Sequence, residues 1–117
     1  MVQVKRAYDP PAPADGKRFL VDRLWPRGVK KDTIKLTGWL KEVAPSDSLR
    51  KWFNHDPDRW PDFQRRYATE LEHEPETWQP LVAAARKGTI TLVFGAKQAA
   101  QNNAVALKEF LEQKLGG

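Results

Sequence analysis

The chain has no cysteine. That excludes disulfides, thiolate nucleophiles, zinc fingers and iron–sulfur clusters. It has two histidines, His55 and His73, too few for a protein-built transition-metal site. No Gly-rich phosphate loop, Gly-x-Ser-x-Gly elbow or HExxH motif occurs. The richest apolar run, Thr89 to Ala96, falls far short of the ~20 residues that span a membrane. The amino terminus, Val2-Gln3-Val4-Lys5-Arg6, lacks the apolar core of a signal peptide. These absences predict a soluble, cytoplasmic protein with no membrane partner, no metal and no cofactor.

What remains is one domain's worth of chain, residues 1–117, of which 40% is hydrophobic. That is enough for one core. The net charge is +5 and unevenly placed: residues 17–66 hold 13 of the 20 Lys and Arg against 7 of the 15 acids. Trp25, Trp39, Trp52 and Trp60 fall in the same half. Basic residues interleaved with aromatics suit phosphates, nucleotides or single-stranded nucleic acid. They equally describe a solvated basic surface over core tryptophans.

One stretch organises the rest. Asp15-Gly16 is a turn signal, and Phe19-Leu20-Val21 is a short apolar run of the kind that sits inside a sheet. Asp22, Arg23 and Arg27 then follow on a loop stiffened by Trp25-Pro26, because proline fixes its own φ and restricts its predecessor. Charged groups beyond the carboxyl end of a strand are where α/β proteins usually bind ligands.

Val2 and Val4 alternate with polar residues, which predicts a first strand over 2–6. Residues 9–16 read as a proline-rich surface loop, 18–22 as a second strand and 30–35 as one helical turn at most. Residues 36–43 are ambiguous: Leu36, Trp39, Leu40 and Val43 fit a helical stripe, interrupted by Gly38 and Pro45. Ser46 is a good N-cap with Asp47 in the first turn. Asp56-Pro57 starts a helix that runs to about residue 73, with an irregular first turn at Pro61. Thr77 can cap the next helix, which Gly88 ends. Residues 89–95 are the clearest strand, and a last helix covers about 103–115. Strands separated by helices predict a single-domain three-layer α/β fold, with a small, largely parallel sheet flanked by helices. In such a sheet residues 19–22 and 89–95 are expected to be parallel neighbours.

Val4-Lys5-Arg6, the run Val21-Asp22-Arg23-Leu24-Trp25-Pro26-Arg27-Gly28, Trp39-Leu40-Lys41, Ala44-Pro45-Ser46, Leu49 to Phe53 and His55-Asp56-Pro57 resemble the YeaO-like branch of the domain-of-unknown-function family 488. The resemblance spans almost the whole chain. It implies a fold and a set of motif residues, and no reaction. It also implies an extended segment at 36–43, hence a third strand. Relatives tend to carry an acidic residue and a histidine ahead of the Asn-Asn pair, where this chain has Gln98 and Gln101. If those groups are catalytic in the family, this member is impaired or different.

Several side chains carry candidate chemistry. Arg23 and Arg27 offer planar, permanently charged forks for phosphate or carboxylate, or pair with structural carboxylates. Arg50 lies one turn inside the helix that Ser46 starts, where an anion would feel free N–H groups. Arg23 and Arg50 are expected to converge. His55 can move a proton near neutrality, or can simply pack at a helix junction. Asp22 is a candidate base, or a group that orients an arginine. Trp25, Lys41, Ser46, Asn102 and Asn103 complete the anion-binding candidates. His73, among Glu70, Glu72, Glu74 and Glu76, reads as surface.

Three functions follow. The first is an enzyme, or degenerate enzyme, acting on an anionic, phosphate-bearing metabolite or nucleotide; Arg23, Arg27 and Arg50 would hold the anion, His55 would move a proton and Asp22 would orient. The second is a nucleic-acid-binding module, although a chain of this charge also binds nucleic acid non-specifically. The third is a non-catalytic regulatory or interaction protein. Oligomeric state is left open.

Overall fold

Parallel strands need long crossovers, and this chain supplies them with helices. The computed structural model describes residues 1–116. Four strands, β1 (Val2–Arg6), β2 (Lys17–Leu20), β3 (Gly38–Trp39) and β4 (Ile90–Phe94), form one sheet in the order β1-β4-β2-β3. Every pairing is parallel. All five residues of β4 are buried, as expected of a strand covered on both faces. Phe19 lies opposite Leu92 and Leu20 opposite Val93, so the two apolar runs are parallel neighbours.

Among the described residues five helices accompany the sheet: α1 (Lys31–Ile34), α2 (Asp47–Phe53), α3 (Trp60–His73), α4 (Pro75–Lys87) and α5 (Asn103–Gly116). The two faces of the sheet are covered unequally. Ile90, Leu92 and Phe94 point into the main core with Phe63, Tyr67, Leu81, Leu107 and Leu111, contributed by α3, α4 and α5. Leu20 and Val93 point the other way, into a small cluster with Ala7 and Ile34. Trp25, Val29, Leu36 and Trp39 pack around it, so this second layer is α1 and loop.

Local chemistry sets the boundaries. Pro75 and Pro61 occupy the first turns of α4 and α3, where a missing N–H has no intrahelical partner to lose. Pro75 therefore starts α4 two residues ahead of Thr77, whose hydroxyl turns back to the Glu74 carbonyl at 2.8 Å. Pro57–Arg59 is a 3-10 turn ahead of α3, the irregularity foreseen near Pro61. The proline-rich loop ends in a 3-10 turn, Pro13–Asp15, and then Gly16 at φ 63°. A Cβ on Gly16 would lie 2.1 Å from the Thr89 carbonyl oxygen, so only glycine fits where β2 begins beside β4.

Residues 36–43 are extended over two residues only. After Gly38–Trp39 the chain makes a 3-10 turn, Lys41–Val43. Leu36 and Trp39 pack in the small cluster, whereas Leu40 and Val43 join the main core. The segment rounds the edge of the sheet, so its apolar residues serve two cores. That produces the helical spacing without a helix. Among the described residues no helix is long and apolar enough to cross a membrane.

Candidate functional site

At the carboxyl ends of β2 and β4 lies a cavity of about 220 Å³. Its walls are half apolar, from Leu24, Ala44, Pro45, Phe53, Phe63 and Ala96, and half polar, from Asp22, Arg23, Arg50, His55, Asn102 and Asn103. Six of the ten residues expected from the sequence thus meet at one place. An engineered cavity of roughly 150 Å³ accommodates benzene. By that scale the space has room for about one ring with a small substituent rather than for a dinucleotide.

Asp22 forms the floor and is held from three sides. Its backbone carbonyl accepts the Trp39 indole N–H at 2.7 Å. Its carboxylate accepts Gly95 N–H at 2.8 Å and Asn103 Nδ2 at 3.0 Å. A Cβ on Gly95 would sit 3.2 Å from Asp22 Oδ2, so a larger residue there would need the carboxylate to give by a few tenths of an ångström. Burial raises the Asp22 carboxyl above its ordinary range, against the lowering effect of Asn103, Gly95 and the Arg50 charge. The dominant cause is desolvation of the ionised form.

Arg23 and Arg50 converge on one atom. Arg50 Nη2 lies 3.1 Å from Asp47 Oδ1, and Arg23 Nε lies 3.9 Å from the same oxygen. Arg23 Nη2 also donates to the Ala44 carbonyl at 3.3 Å. Arg23 Nε is buried yet has no hydrogen-bond partner among the described residues. A buried donor without a partner costs about 1–3 kcal/mol, whereas an exposed ion pair contributes about 0–1 kcal/mol. The Asp47 side chain is 62% exposed, so its pairing does not offset the unmet need of Arg23.

His55 stands on the cavity rim. It and Asn54 are consecutive non-glycine residues in the left-handed region, at φ 55° and 46°. The strained pair turns the chain sharply out of α2 and lays the imidazole 6.1 Å from the Phe53 ring. Asp56 caps the following turn, accepting Asp58 N–H at 3.0 Å.

The asparagines are largely spent on the scaffold. Asn102 Oδ1 accepts Val105 N–H at 3.0 Å and caps α5, while its Nδ2 donates to the Gln98 carbonyl at 2.8 Å. Asn103 Nδ2 is shared between the Val21 carbonyl and Asp22.

Trp25, Arg27, Lys41 and Ser46 do not line this cavity. Trp25 donates to the Val29 carbonyl at 2.7 Å and packs edge-on against Trp39 in the thin layer. Arg27 is exposed, and its carbonyl accepts the Tyr8 hydroxyl at 2.9 Å. Lys41 lies over the Trp39 ring at 4.2 Å. Ser46 caps α2 as expected, accepting Leu49 N–H at 3.2 Å. The carboxylate of Glu70 takes both its N–H (2.9 Å) and its hydroxyl (2.5 Å), so no external anion is needed there. Gln98 and Gln101 are also absent from the cavity wall. Sequence reasoning missed the apolar wall and Asp47. The signal for Asp47 was its i,i+3 spacing to Arg50.

Comparison with known proteins gives the family of the chain. A family model described as "Inactive DUF488-N3 subclade" matches residues 1–116. The uncharacterized protein YeaO of Escherichia coli K12 is 42% identical over 110 residues, covering 94% of this chain and 96% of that protein. The uncharacterized protein Rv3073c of Mycobacterium tuberculosis is 38% identical over 110 residues, covering 94% and 92%. No solved structure matches. The chain belongs to DUF488, in its YeaO-like branch.

Proposed function

We propose that this protein binds a small organic anion, bearing a phosphate or carboxylate, in the cavity beyond β2 and β4, and does not turn it over. The observation that carries the reading is the convergence of Arg23 and Arg50 at the cavity, with Arg23 Nε buried and unpartnered. The apolar wall receives the body of the ligand and the two guanidinium groups receive its acid group. Binding without turnover is supported by three of the remaining polar groups, Asp22, Asn102 and Asn103. Both Asp22 oxygens accept scaffold donors, and the donors of Asn102 and Asn103 are engaged. Gln98 and Gln101 replace the acid and imidazole that the family resemblance leads one to expect, and the matching family model is described as inactive.

A stacking platform for nucleic acid finds less support. Trp60 packs on Phe53 and Phe63, and Trp52 is flanked by Arg59 and Arg66.

Titration calorimetry with phenyl phosphate, one ring and a dianion, tests the reading. One saturable site is expected at physiological salt, with phenol silent at the same concentration. Arg23→Ala should weaken binding by about tenfold or more, the worth of a charge-assisted hydrogen bond. Phosphorus NMR should show the ester intact after prolonged incubation. Equal affinity in Arg23→Ala and wild type would refute the site, and release of inorganic phosphate would refute the absence of turnover.

A further inference from the structure

We infer that Asp47 is a displaceable stand-in for the ligand's acid group, occupying the arginine clamp until an organic anion takes its place. The inference rests on the anion-binding reading above and adds how the site is held when no ligand is bound.

One carboxylate oxygen of Asp47 serves both arginines, at 3.1 Å from Arg50 and 3.9 Å from Arg23. The second distance is beyond hydrogen-bond reach. The reason is a tether. Asp47 is the first residue of α2, and its neighbour Ser46 is fixed by Glu70 and by the cap to Leu49. From that anchor a short side chain reaches Arg50 and stops short of Arg23 Nε, which stays buried without a partner among the described residues. A free anion carries no tether. A carboxylate offers two oxygens and a phosphate three, so one molecule can satisfy Arg50 and Arg23 together. Asp47 keeps the paired cations from repelling each other meanwhile, and its own exposure makes it easy to displace. It therefore acts as a competitor built into the chain, and it sets the concentration at which an external anion wins.

The sign of the mutational effect separates this from an ordinary binding residue. Removing a ligand contact weakens binding; removing a competitor strengthens it. In calorimetry with phenyl phosphate, Asp47→Asn should bind about two- to fivefold tighter than wild type, the range set by an exposed ion pair. Asp47→Glu adds one methylene, so it reaches Arg23 better and should bind more weakly than wild type. Simple long-range repulsion would leave Glu equal to Asp, and that result would overturn the stand-in role. So would Asp47→Asn binding no tighter than wild type, while Arg23→Ala still weakened binding and the anion site itself stood. If neither wild type nor Asp47→Asn binds the ester, the anion-site reading fails and takes this inference with it.

Discussion

Two carboxylates in this molecule each sit between two cations, and they are built in opposite ways. Asp15, at the turn into β2, accepts Lys5 Nζ at 3.1 Å, Arg18 Nη1 at 2.6 Å and Ala12 N–H at 3.0 Å. It is 5% exposed and Arg18 4%. Asp47 meets Arg50 at 3.1 Å and misses Arg23 at 3.9 Å, largely in solvent. The Asp15 cluster ties the proline-rich loop to β1 and β2, and Thr91 donates to the Asp15 carbonyl at 2.7 Å. Arg18 also donates to the Ile34 carbonyl at 3.0 Å, which anchors α1. The difference separates a charge cluster that holds the fold from one that is available to a ligand. Each leaves one buried arginine nitrogen without a partner among the described residues, Arg18 Nη2 and Arg23 Nε, but the first carboxylate is buried and bonded to both its cations, and the second is exposed and reaches only one.

The contrast breaks most visibly at Asp15. Asp15→Ala leaves Arg18 buried without its counter-ion and should cost about 3 kcal/mol, the lower end for breaking a buried pair, because Lys5 remains partly solvated. Urea denaturation at pH 7 measures it. Burial pushes the Asp15 carboxyl up, but the Ala12 N–H, Lys5 and Arg18 outweigh it and hold the group below its ordinary range. A lowered carboxyl contributes stability above the unfolded value and loses it as pH falls through the folded one. The wild type should therefore lose stability on acidification below about pH 4, and the variant should lose less. A cost under 1 kcal/mol would mean that Asp15 is no more structural than Asp47.

Much of this arrangement was legible in the chain, for reasons that can be named. The parallel pairing of β2 with β4 followed from two short apolar runs separated by helices. The meeting of Arg23 with Arg50 followed from their places after a strand and inside a short helix. Lys41 and Trp25 lie away from the cavity: β3 is two residues long, so the chain turns at Lys41–Val43 and Lys41 lies over Trp39, while Trp25 packs into the small cluster over Leu20 and Val93. Ser46 was legible as a cap, but its partner was not. Glu70 lies 24 residues away on α3, and only tertiary packing brings a carboxylate to that helix start. The thin second layer was hidden for a related reason: Trp25 covers Leu20 and Val93 from a loop, and the spacing at Leu36 and Trp39 reads as a helix although those residues lie in and beside a two-residue strand.

Ser46 tests whether the edge that carries the cavity is itself scaffold. Ser46→Ala removes the cap on Leu49 and one of two bonds to Glu70, leaving the backbone bond. It should destabilise by about 1 kcal/mol, measurable as a lowered Tm, with phenyl phosphate affinity unchanged. A fall in affinity equal to that of Arg23→Ala would move the ligand from the cavity to the α2 start and end the division between the two kinds of charge.

The smallest effect belongs to Asp22, which lies between the two extremes: bonded on both oxygens like Asp15, and facing the cavity. Asp22→Asn keeps the shape but leaves one oxygen for two donors, Gly95 N–H and Asn103 Nδ2. That mismatch should cost about 1 kcal/mol. The pH dependence carries the information. Burial raises the folded carboxyl above its unfolded value, so the folded chain binds the proton more tightly. Wild-type stability contributed by this group is then full below the unfolded value and declines as pH rises to the folded one. The asparagine has no such decline, so its disadvantage should be largest near pH 3 and should shrink toward pH 6. Paired denaturation curves across that range cancel the titration of Asp15, which both proteins share. If the gap widens with pH instead, the two donors outweigh burial, and Asp22 belongs with Asp15 among the carboxylates that hold the fold.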